Sequence, residues 1–369
     1  MKLLFFISSL ECGGAQRVCV TLCNRWAERG WDVTVATFDD GTVPPFFPLV
    51  PGVRHVTLGL QRRSTGIVHS VINNLKRLRR LRRFVARERP DRILSFIDAT
   101  NVLTLLAAKG TGIPVVVSER IDPSRHKIPG PWRILRRLTY PWARAIVLQT
   151  QAAAAYFPAS WASRIVVVPN PVSAIPAAAP RAAQRRKDRG LVVGLGRLER
   201  QKGFDLLIRA FAAIARERPD WDAVILGDGP ERDALAVEIA RAGLTGRISL
   251  PGRESDAVGA LRRADLFVLS SRYEGFPNAL CEAMACGLPV VAFDCPSGPA
   301  EIVRDGVDGL LVPAEDIGAL SEAMARLIAD PEGRRRMGAR AAEVSDRFSL
   351  ERIASLWERI LIDGAARAD

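Results

Sequence analysis

The sequence is poor in the residues that build metal sites and disulfide frameworks. It has 3 histidines and 6 cysteines in 369 residues, and no two cysteines are spaced as C-x-x-C. We therefore expect no zinc site, and we expect the cysteines to be reduced thiols of a cytoplasmic protein. No apolar run is long enough to span a bilayer. The short run at residues 1–7 leads into Gly13 and Gly14, which favours a buried first strand over a signal peptide.

Acidic residues are scarce in the first half of the chain. Residues 1–180 contain 25 Lys and Arg against 10 Asp and Glu, residues 181–189 contain 5 against 1, and residues 190–369 contain 23 against 29. The net charges are +15, +4 and −6, which predicts that the first half meets an anion. The length and the hydrophobic content of 48% are those of two globular domains.

A strand, a loop and a short helix follow one another between residues 266 and 291. The pattern predicts a buried strand at 266–269, a helix at 278–285 and a stop at Gly287. Glu274 and Glu282 stand in this stretch with seven residues between them. A helix N-terminus suits a phosphate, and carboxylates accept hydrogen bonds from sugar hydroxyls, so a nucleotide sugar is one interpretation. The other is ordinary α/β structure with two solvated glutamates.

The motifs decide between these interpretations. Glu274-x7-Glu282 followed by AMACGLPVVA resembles the E-x7-E motif of the retaining glycosyltransferases of family 4, which have the GT-B architecture. Four further motifs stand in the family's order: Gly13-Gly14-Ala15, GLGRLERQKGFDLLIRAF at 194–211, GDGPER at 227–232 and SGPAEIVRDGVDGLLV at 297–312. The resemblance extends over nearly the whole chain.

The resemblance implies an α/β fold of two Rossmann-like, doubly wound domains with an interdomain cleft. We expect an N-terminal, acceptor-facing and membrane-facing domain at 1–172 and a linker at 173–189. A nucleotide-sugar-binding domain follows at 190–348. A C-terminal helix at 349–369 is expected to pack back on the first domain, through apolar residues at helical spacing.

The resemblance also implies roles for single residues. Arg197 and Lys202 would neutralise the leaving diphosphate, Glu282 would bind the ribose, and Glu274 would hold the donor sugar. The further donor-binding positions that it implies are Gly14, Arg253, Asn278, Ala279 and Leu280. Gly194-x-Gly196 lacks the third glycine of a nicotinamide fingerprint, and Asp220-x-Asp222 stands at the wrong end of its strand for a metal site. We therefore expect neither a metal nor another cofactor, with the nucleotide sugar as co-substrate.

A basic amphipathic helix is predicted near residues 72–85. From 62 to 92 the chain has 11 basic residues against two acidic ones, and apolar residues recur at helical spacing. A solvated face, a nucleic-acid contact and an anionic membrane are the alternatives, and the second basic cluster at 125–144 favours the membrane because Trp132, Tyr140 and Trp142 interrupt it. The predicted membrane contacts are Arg79, Arg80, Arg82, Arg83, Trp132 and Arg136.

Two predicted strands of the first half, at 92–96 and 114–117, end in polar residues. Ligands bind outside the carboxyl ends of such strands, so Asp98, Asn101, Glu119 and Arg120 are candidates for acceptor binding. Many family members have a His after the second of these strands, whereas this chain has Glu119 or a neighbour, so Glu119 is also the candidate for assisting the acceptor hydroxyl. An ion pair between Glu119 and Arg120 is the alternative.

These observations predict a retaining, metal-independent transferase. It would move a hexose or N-acetylhexosamine from a UDP-sugar, with GDP left open, to a polyprenyl-diphosphate-linked or other glycan at the inner face of the cell membrane. A nucleotide-sugar epimerase of the same architecture is one alternative, although it leaves the basic clusters unexplained. The others are a protein that binds nucleic acid or an anionic surface, and a dehydrogenase.

Overall fold

The chain divides into two compact units. A computed structural model describes residues 1–60, 67–125, 128–173, 175, 189–254 and 256–364, with only the backbone described at 67–71. One unit comprises Met1–Pro171 together with Leu350–Asp369, and the other comprises Val172–Ser349. The predicted linker at 173–189 lies almost entirely outside the described residues. All six cysteines are free thiols.

The first unit is built on a parallel seven-stranded sheet. Its strands are β1 (Lys2–Ile7), β2 (Asp32–Thr37), β3 (Val53–Thr57), β4 (Arg92–Phe96), β5 (Val115–Ser118), β6 (Ala145–Leu148) and β7 (Ile165–Val167). They lie in the order β3-β2-β1-β4-β5-β6-β7, so the strand order reverses between β1 and β4. Helices cover both faces of such a sheet, which explains why β1 is a continuous apolar run, buried from Leu3 to Ile7.

The helices of the first unit follow its strands along the chain. They are α1 (Gly14–Glu28), α2 (Ile67–Glu88), α3 (Asp98–Ala108), α4 (Gly130–Thr139), α5 (Gln151–Ala154) and, from the end of the chain, α14 (Leu350–Asp363). No helix among the described residues is both long and apolar enough to cross a bilayer.

Helix α14 belongs to the first unit. Its buried residues Ile353, Trp357, Ile360 and Leu361 recur every three or four positions and join the core beneath β1 and β4. The ring of Trp357 lies 5.7 Å from that of Phe96. Apolar periodicity therefore ties the end of the chain to its beginning.

The second unit has a parallel six-stranded sheet. Its strands are β8 (Gly190–Leu195), β9 (Trp221–Leu226), β10 (Ile248–Gly252), β11 (Leu266–Leu269), β12 (Val290–Asp294) and β13 (Gly309–Pro313), in the order β10-β9-β8-β11-β12-β13. Its helices are α6 (Phe204–Ala215), α7 (Arg232–Arg241), α8 (Ala257–Arg263), α9 (Asn278–Ala285), α10 (Pro299–Ile302), α11 (Ile317–Ala329), α12 (Pro331–Ala341) and α13 (Val344–Arg347). The strand order reverses between β8 and β11, and each unit is thus doubly wound.

Truncation of Trp357 tests how far the first unit depends on α14. Because its side chain is fully buried, we expect Trp357→Ala to lower the free energy of unfolding by about 3–5 kcal/mol. Ile362→Ala on the same helix is the control, since Ile362 is 53% exposed, and its effect should stay below about 0.5 kcal/mol. Urea unfolding followed by circular dichroism measures both. Equal small losses would show that α14 is dispensable.

Candidate donor and acceptor sites

The candidate donor site lies where the strand order of the second unit reverses. The loops after β8 and β11 leave the sheet side by side at its carboxyl edge, the usual position of a ligand in such folds. The first loop carries Arg197 and Lys202, and the second carries Glu274 and leads into α9. These predicted site residues are therefore brought to one edge of one sheet.

An ion pair joins the two loops. Lys202 Nζ lies 2.7 Å from Glu274 Oε1, with Glu274 buried and Lys202 mostly buried. Ser271 Oγ donates a second hydrogen bond to the same carboxylate oxygen, at 2.6 Å. Removing either member of a buried pair leaves an uncompensated charge, so Lys202 and Glu274 hold each other in place.

Neutral and charged contacts fix the same two loops. Gln201 Nε2 donates to Tyr273 O at 2.9 Å, and Ser270 Oγ donates to Lys202 O at 3.0 Å. Arg272 forms two hydrogen bonds to Asp205, at 2.7 and 2.8 Å. Burial alone would raise the pKa of Asp205, but Arg272 outweighs it and lowers that pKa. These contacts hold the two loops together without a ligand.

The loop after β12 supports Glu274 from the other side. The backbone N–H of Glu274 donates to Pro296 O at 2.9 Å, and Ser297 Oγ donates to Glu274 O at 3.0 Å. The sequence motifs alone indicate no role for Ser271 or Ser297. Ser271 is the second residue after the predicted strand at 266–269, and that place is the signal by which it could have been found.

Helix α9 begins at Asn278, as predicted, and Gly287 follows it with a φ of +71°. Asn278, Ala279 and Glu282 are half-buried along it. Leu280 requires a correction: its backbone N–H already donates to Pro277 O at 3.0 Å, and its side chain lies in the core. Leu280 therefore anchors the helix, and the prediction that it binds the donor directly is not supported.

The side chains of Arg197 and Arg253 have fewer contacts than those of Lys202 and Glu274. Arg197 is exposed, with Nη1 lying 3.2 Å from Glu199 Oε1. Arg253 is exposed after β10, the outermost strand on one side of the sheet. Both stand at the carboxyl edge, where an exposed guanidinium can turn toward an anion. Asp222, half of the Asp-x-Asp pattern, accepts hydrogen bonds from Arg189 and Arg247 instead.

Glu119 and Asn101 lie in a buried network of the first unit. Glu119 Oε1 accepts from Tyr140 Oη at 2.6 Å and from Arg136 Nη1 at 3.4 Å. Asn101 Nδ2 donates to Tyr140 Oη at 3.0 Å and to Ser118 O at 2.9 Å. Burial raises the pKa of Glu119, although the charge of Arg136 and the hydrogen bond from Tyr140 act against it.

This network corrects one prediction: Arg136 is 5% exposed and is therefore not a membrane contact. Glu119 and Asn101 are buried, and their roles at the acceptor stay predictions. The other two predicted acceptor residues are Asp98 and Arg120. Asp98 begins α3 and accepts a hydrogen bond from the Ala99 N–H at 2.5 Å.

Arg120 does not pair with Glu119, so the alternative of an ion pair between these neighbours is wrong. Its Nη1 donates to Ser118 Oγ at 3.4 Å, its Nη2 donates to Asn170 Oδ1, and its guanidinium lies 4.3 Å from the centroid of the Phe96 ring. Burial lowers the pKa of Arg120 to about 9.

Gly14, the predicted donor-binding residue of the first unit, is the first residue of α1, the helix that follows β1.

Helices α2 and α4, and the turn at Tyr140–Trp142 that follows α4, expose cations together with apolar side chains. We call this the basic face. Its cations are Arg79, Arg80, Arg82, Arg83, Arg133 and Arg137, and its apolar residues are Ile72, Leu75, Ile134, Leu138 and Trp142. Among the described residues, no carboxylate pairs with these six cations. Trp132 is half-buried against the core of the first unit, so Trp142 is the more exposed aromatic residue here.

The close contact between the donor-site loops can be tested at Gly203. Its φ is +60°, and a Cβ there would lie 2.0 Å from Ser270 O. Gly243 has a φ of +69° but nothing within 4 Å of a Cβ. Both Gly→Ala substitutions should cost about 1–2 kcal/mol for the left-handed backbone. We expect Gly203→Ala to cost measurably more in urea unfolding, because it also forces the two loops apart; equal losses would refute this.

Two family models together match most of the chain. The model described as a glycosyl transferase 4-like domain matches residues 13–171, and the model of glycosyl transferases group 1 matches residues 178–344. A relative from Campylobacter jejuni is 26% identical over 98% of this chain and 99% of its own length. It is an α-1,4-N-acetyl-D-galactosaminyltransferase whose named substrate is a diNAcBac-PP-undecaprenol-linked GalNAc disaccharide. An amylovoran biosynthesis glycosyltransferase of Erwinia amylovora is 26% identical over 98% of this chain and 99% of its own.

Solved structures share the architecture. Sucrose-phosphate synthase from Thermosynechococcus elongatus superposes with a TM-score of 0.84 at 20% identity, covering 97% of this chain and 98% of that one. HepE from Anabaena, crystallised with UDP, superposes with a TM-score of 0.77 at 22% identity, covering 98% of this chain and 100% of that one. At these identities the likeness establishes the fold alone. The chain therefore belongs to the glycosyltransferases of the family 4 type, with the GT-B fold.

Proposed function

We propose that this glycosyltransferase moves a hexose or N-acetylhexosamine from a UDP-sugar to a lipid-linked or polysaccharide glycan, with retention of anomeric configuration and without a metal ion. The observation that carries the proposal is the Lys202–Glu274 pair at the strand reversal of the second unit. A cation and a carboxylate at one ligand-binding edge suit the two halves of a nucleotide sugar, the diphosphate and the polyol.

Charge development on the diphosphate explains the cations. When the bond from the anomeric carbon to the diphosphate oxygen breaks, that oxygen gains negative charge, which Lys202, Arg197 and the first turn of α9 stabilise. The acceptor oxygen bonds to the same carbon from the leaving-group face, and its proton passes to the departing diphosphate. Retention then requires no pair of carboxylates at glycosidase spacing.

The ion pair also couples recognition of the two halves of the donor. A bound diphosphate competes with Glu274 for Lys202, since both are anions. Glu274 then keeps the hydrogen bond from Ser271 but loses its cationic partner. A buried carboxylate without a compensating cation is unfavourable. Hydroxyl groups of the donor sugar donate hydrogen bonds to the Glu274 carboxylate in place of Lys202, and Glu282 on α9 binds the ribose. The intact nucleotide sugar is thus favoured over the nucleotide alone.

Two of the comparisons favour particular substrates. The Campylobacter relative acts on a polyprenyl-diphosphate-linked glycan by its name, and it aligns over nearly the whole chain. HepE was crystallised with UDP, UDP and glucose, or UDP-glucose. These names make a UDP-sugar donor and a lipid-linked acceptor the first substrates to test.

The basic face suits an anionic membrane that carries such an acceptor. Unpaired arginines attract anionic headgroups, and exposed apolar side chains between them can enter the interfacial region. A membrane is favoured over nucleic acid because Ile72, Leu75, Ile134 and Leu138 offer no hydrogen bonds to a phosphate backbone.

A transfer assay with labelled donors tests the catalytic proposal. We expect one of a panel of UDP- and GDP-sugars to be transferred to polyprenyl-diphosphate-linked oligosaccharides, unaffected by EDTA, with a product retaining the donor's anomeric configuration by NMR. Lys202→Ala should lower kcat about 100-fold or more, because one stabilising cation is lost. Glu282→Ala should raise the KM for the donor, and Glu322→Ala, at an exposed carboxylate of α11, is the control.

Other outcomes would replace the proposal. Turnover of the nucleotide sugar without an acceptor indicates the epimerase. No turnover with any donor, together with salt-sensitive binding to polyanions, indicates a binding protein. An inverted product contradicts retention while leaving the transfer itself intact.

Vesicle binding tests the basic face separately. Arg79→Gln, Arg80→Gln and Arg83→Gln together should weaken binding to anionic vesicles about 100-fold, at about 1 kcal/mol per cation. The matched control replaces the exposed arginines Arg326, Arg335 and Arg336 of the second unit. Sedimentation with phosphatidylglycerol vesicles measures the effect. Equal weakening by both triple variants would show that only net charge matters, and would refute a specific face.

A further inference from the structure

The guanidinium of Arg120 is a cation that the fold does not neutralise. Its neighbours are the Phe96 ring, Ser118 Oγ and Asn170 Oδ1, all uncharged. No carboxylate among the described residues lies within ion-pair distance of it, and Nε is buried without a hydrogen-bond partner. The adjacent Glu119 is occupied by Tyr140 and Arg136.

Three other arginines that are wholly or partly withdrawn from solvent have carboxylate partners. Arg136 pairs with Glu119, Arg272 with Asp205, and Arg347 with Asp308. A desolvated charge without such a partner is unfavourable, which agrees with the lowered pKa of Arg120. A pKa near 9 still leaves this side chain charged at neutral pH. Its positive charge is therefore available to a ligand.

The surroundings of Arg120 orient its guanidinium. Gln149 Nε2 donates to Asn170 Oδ1 at 2.9 Å, and Arg120 donates to the same oxygen. The guanidinium also lies over the Phe96 ring, 4.3 Å from its centroid. Residues 120, 149 and 170 follow β5, β6 and β7, so they meet at the carboxyl edge of the sheet. A fixed guanidinium fork is suited to two oxygens of a phosphate group.

We propose that Arg120 binds a phosphate oxyanion of a substrate at the carboxyl edge of the first unit. This inference rests on the proposed function, whose substrates supply two such groups: the diphosphate of a lipid-linked acceptor and that of the nucleotide donor. A phosphate oxyanion specifies the chemistry of the acceptor contact predicted for Arg120.

Kinetics with paired acceptors test the proposal. Arg120→Met and Arg120→Lys are compared with Arg164→Met, an exposed arginine of the same unit. The acceptors carry one glycan on either a polyprenyl diphosphate or an uncharged alkyl group. We expect Arg120→Met to raise the KM for the phosphate-bearing substrate about 10-fold or more. Arg120→Lys, which keeps the charge without the fork, should have a smaller effect.

The pattern of KM values identifies the source of the phosphate. A change for the diphosphate acceptor alone indicates the acceptor, and a change for the UDP-sugar with both acceptors indicates the donor. Equal changes for charged and uncharged acceptors, with the donor KM constant, would overturn the proposal, as would no change at all. Because Arg120 lacks an ionic partner, Arg120→Met should leave the unfolding temperature unchanged or raise it. A large decrease would indicate a structural role.

A binding measurement keeps this test independent of transfer. Inorganic pyrophosphate is titrated calorimetrically into Lys202→Ala, which weakens the candidate donor site, and into Lys202→Ala with Arg120→Met. Binding by the first and not by the second supports the proposal even if no sugar is transferred. Equal binding by both, or no binding by Lys202→Ala, overturns it even if transfer is confirmed.

Discussion

The ion pair between Lys202 and Glu274 is the interaction on which the candidate donor site depends. It joins the loops after β8 and β11, the two strands between which the sheet order reverses. A pair of charges this far from solvent adds little net stability, but it penalises any arrangement that separates them. The ion pair therefore keeps the two loops side by side. The hydrogen bonds from Gln201 and Ser270 to backbone carbonyl oxygens join the same two loops.

The first unit uses its charges in three ways. Arg136 and Glu119 are buried together and stabilise the edge of the sheet through Tyr140. The arginines of the basic face remain in solvent, where mutual repulsion is screened. Arg120 lies between these cases: it is partly withdrawn from solvent, and the part of the chain that the structure describes gives it no ionic partner. A net charge of +15 in the first 180 residues thus combines groups with unrelated roles.

The sequence predicts the elements of this fold better than their side-chain contacts. The helix at 278–285 and the strand at 266–269 have the predicted bounds, because apolar runs and flanking Gly or Pro encode them locally. The partners of Glu119 and Arg120 stand up to 50 positions away, at Tyr140, Arg136 and Asn170. Local patterns indicate that a residue follows a strand, but not which distant strand end lies beside it.

The contrast between Arg136 and its neighbours shows what a count of charges misses. Arg133 and Arg137 are exposed on α4, whereas Arg136 faces the core and forms an ion pair with Glu119. Helical periodicity can assign these faces only when the buried carboxylate is known, because a cation on an inner face is otherwise unfavourable. For Arg120, no carboxylate among the described residues lies within ion-pair distance. Either the fold tolerates an uncompensated charge, or a ligand supplies the anion, and the oriented contacts with Phe96 and Asn170 favour the ligand.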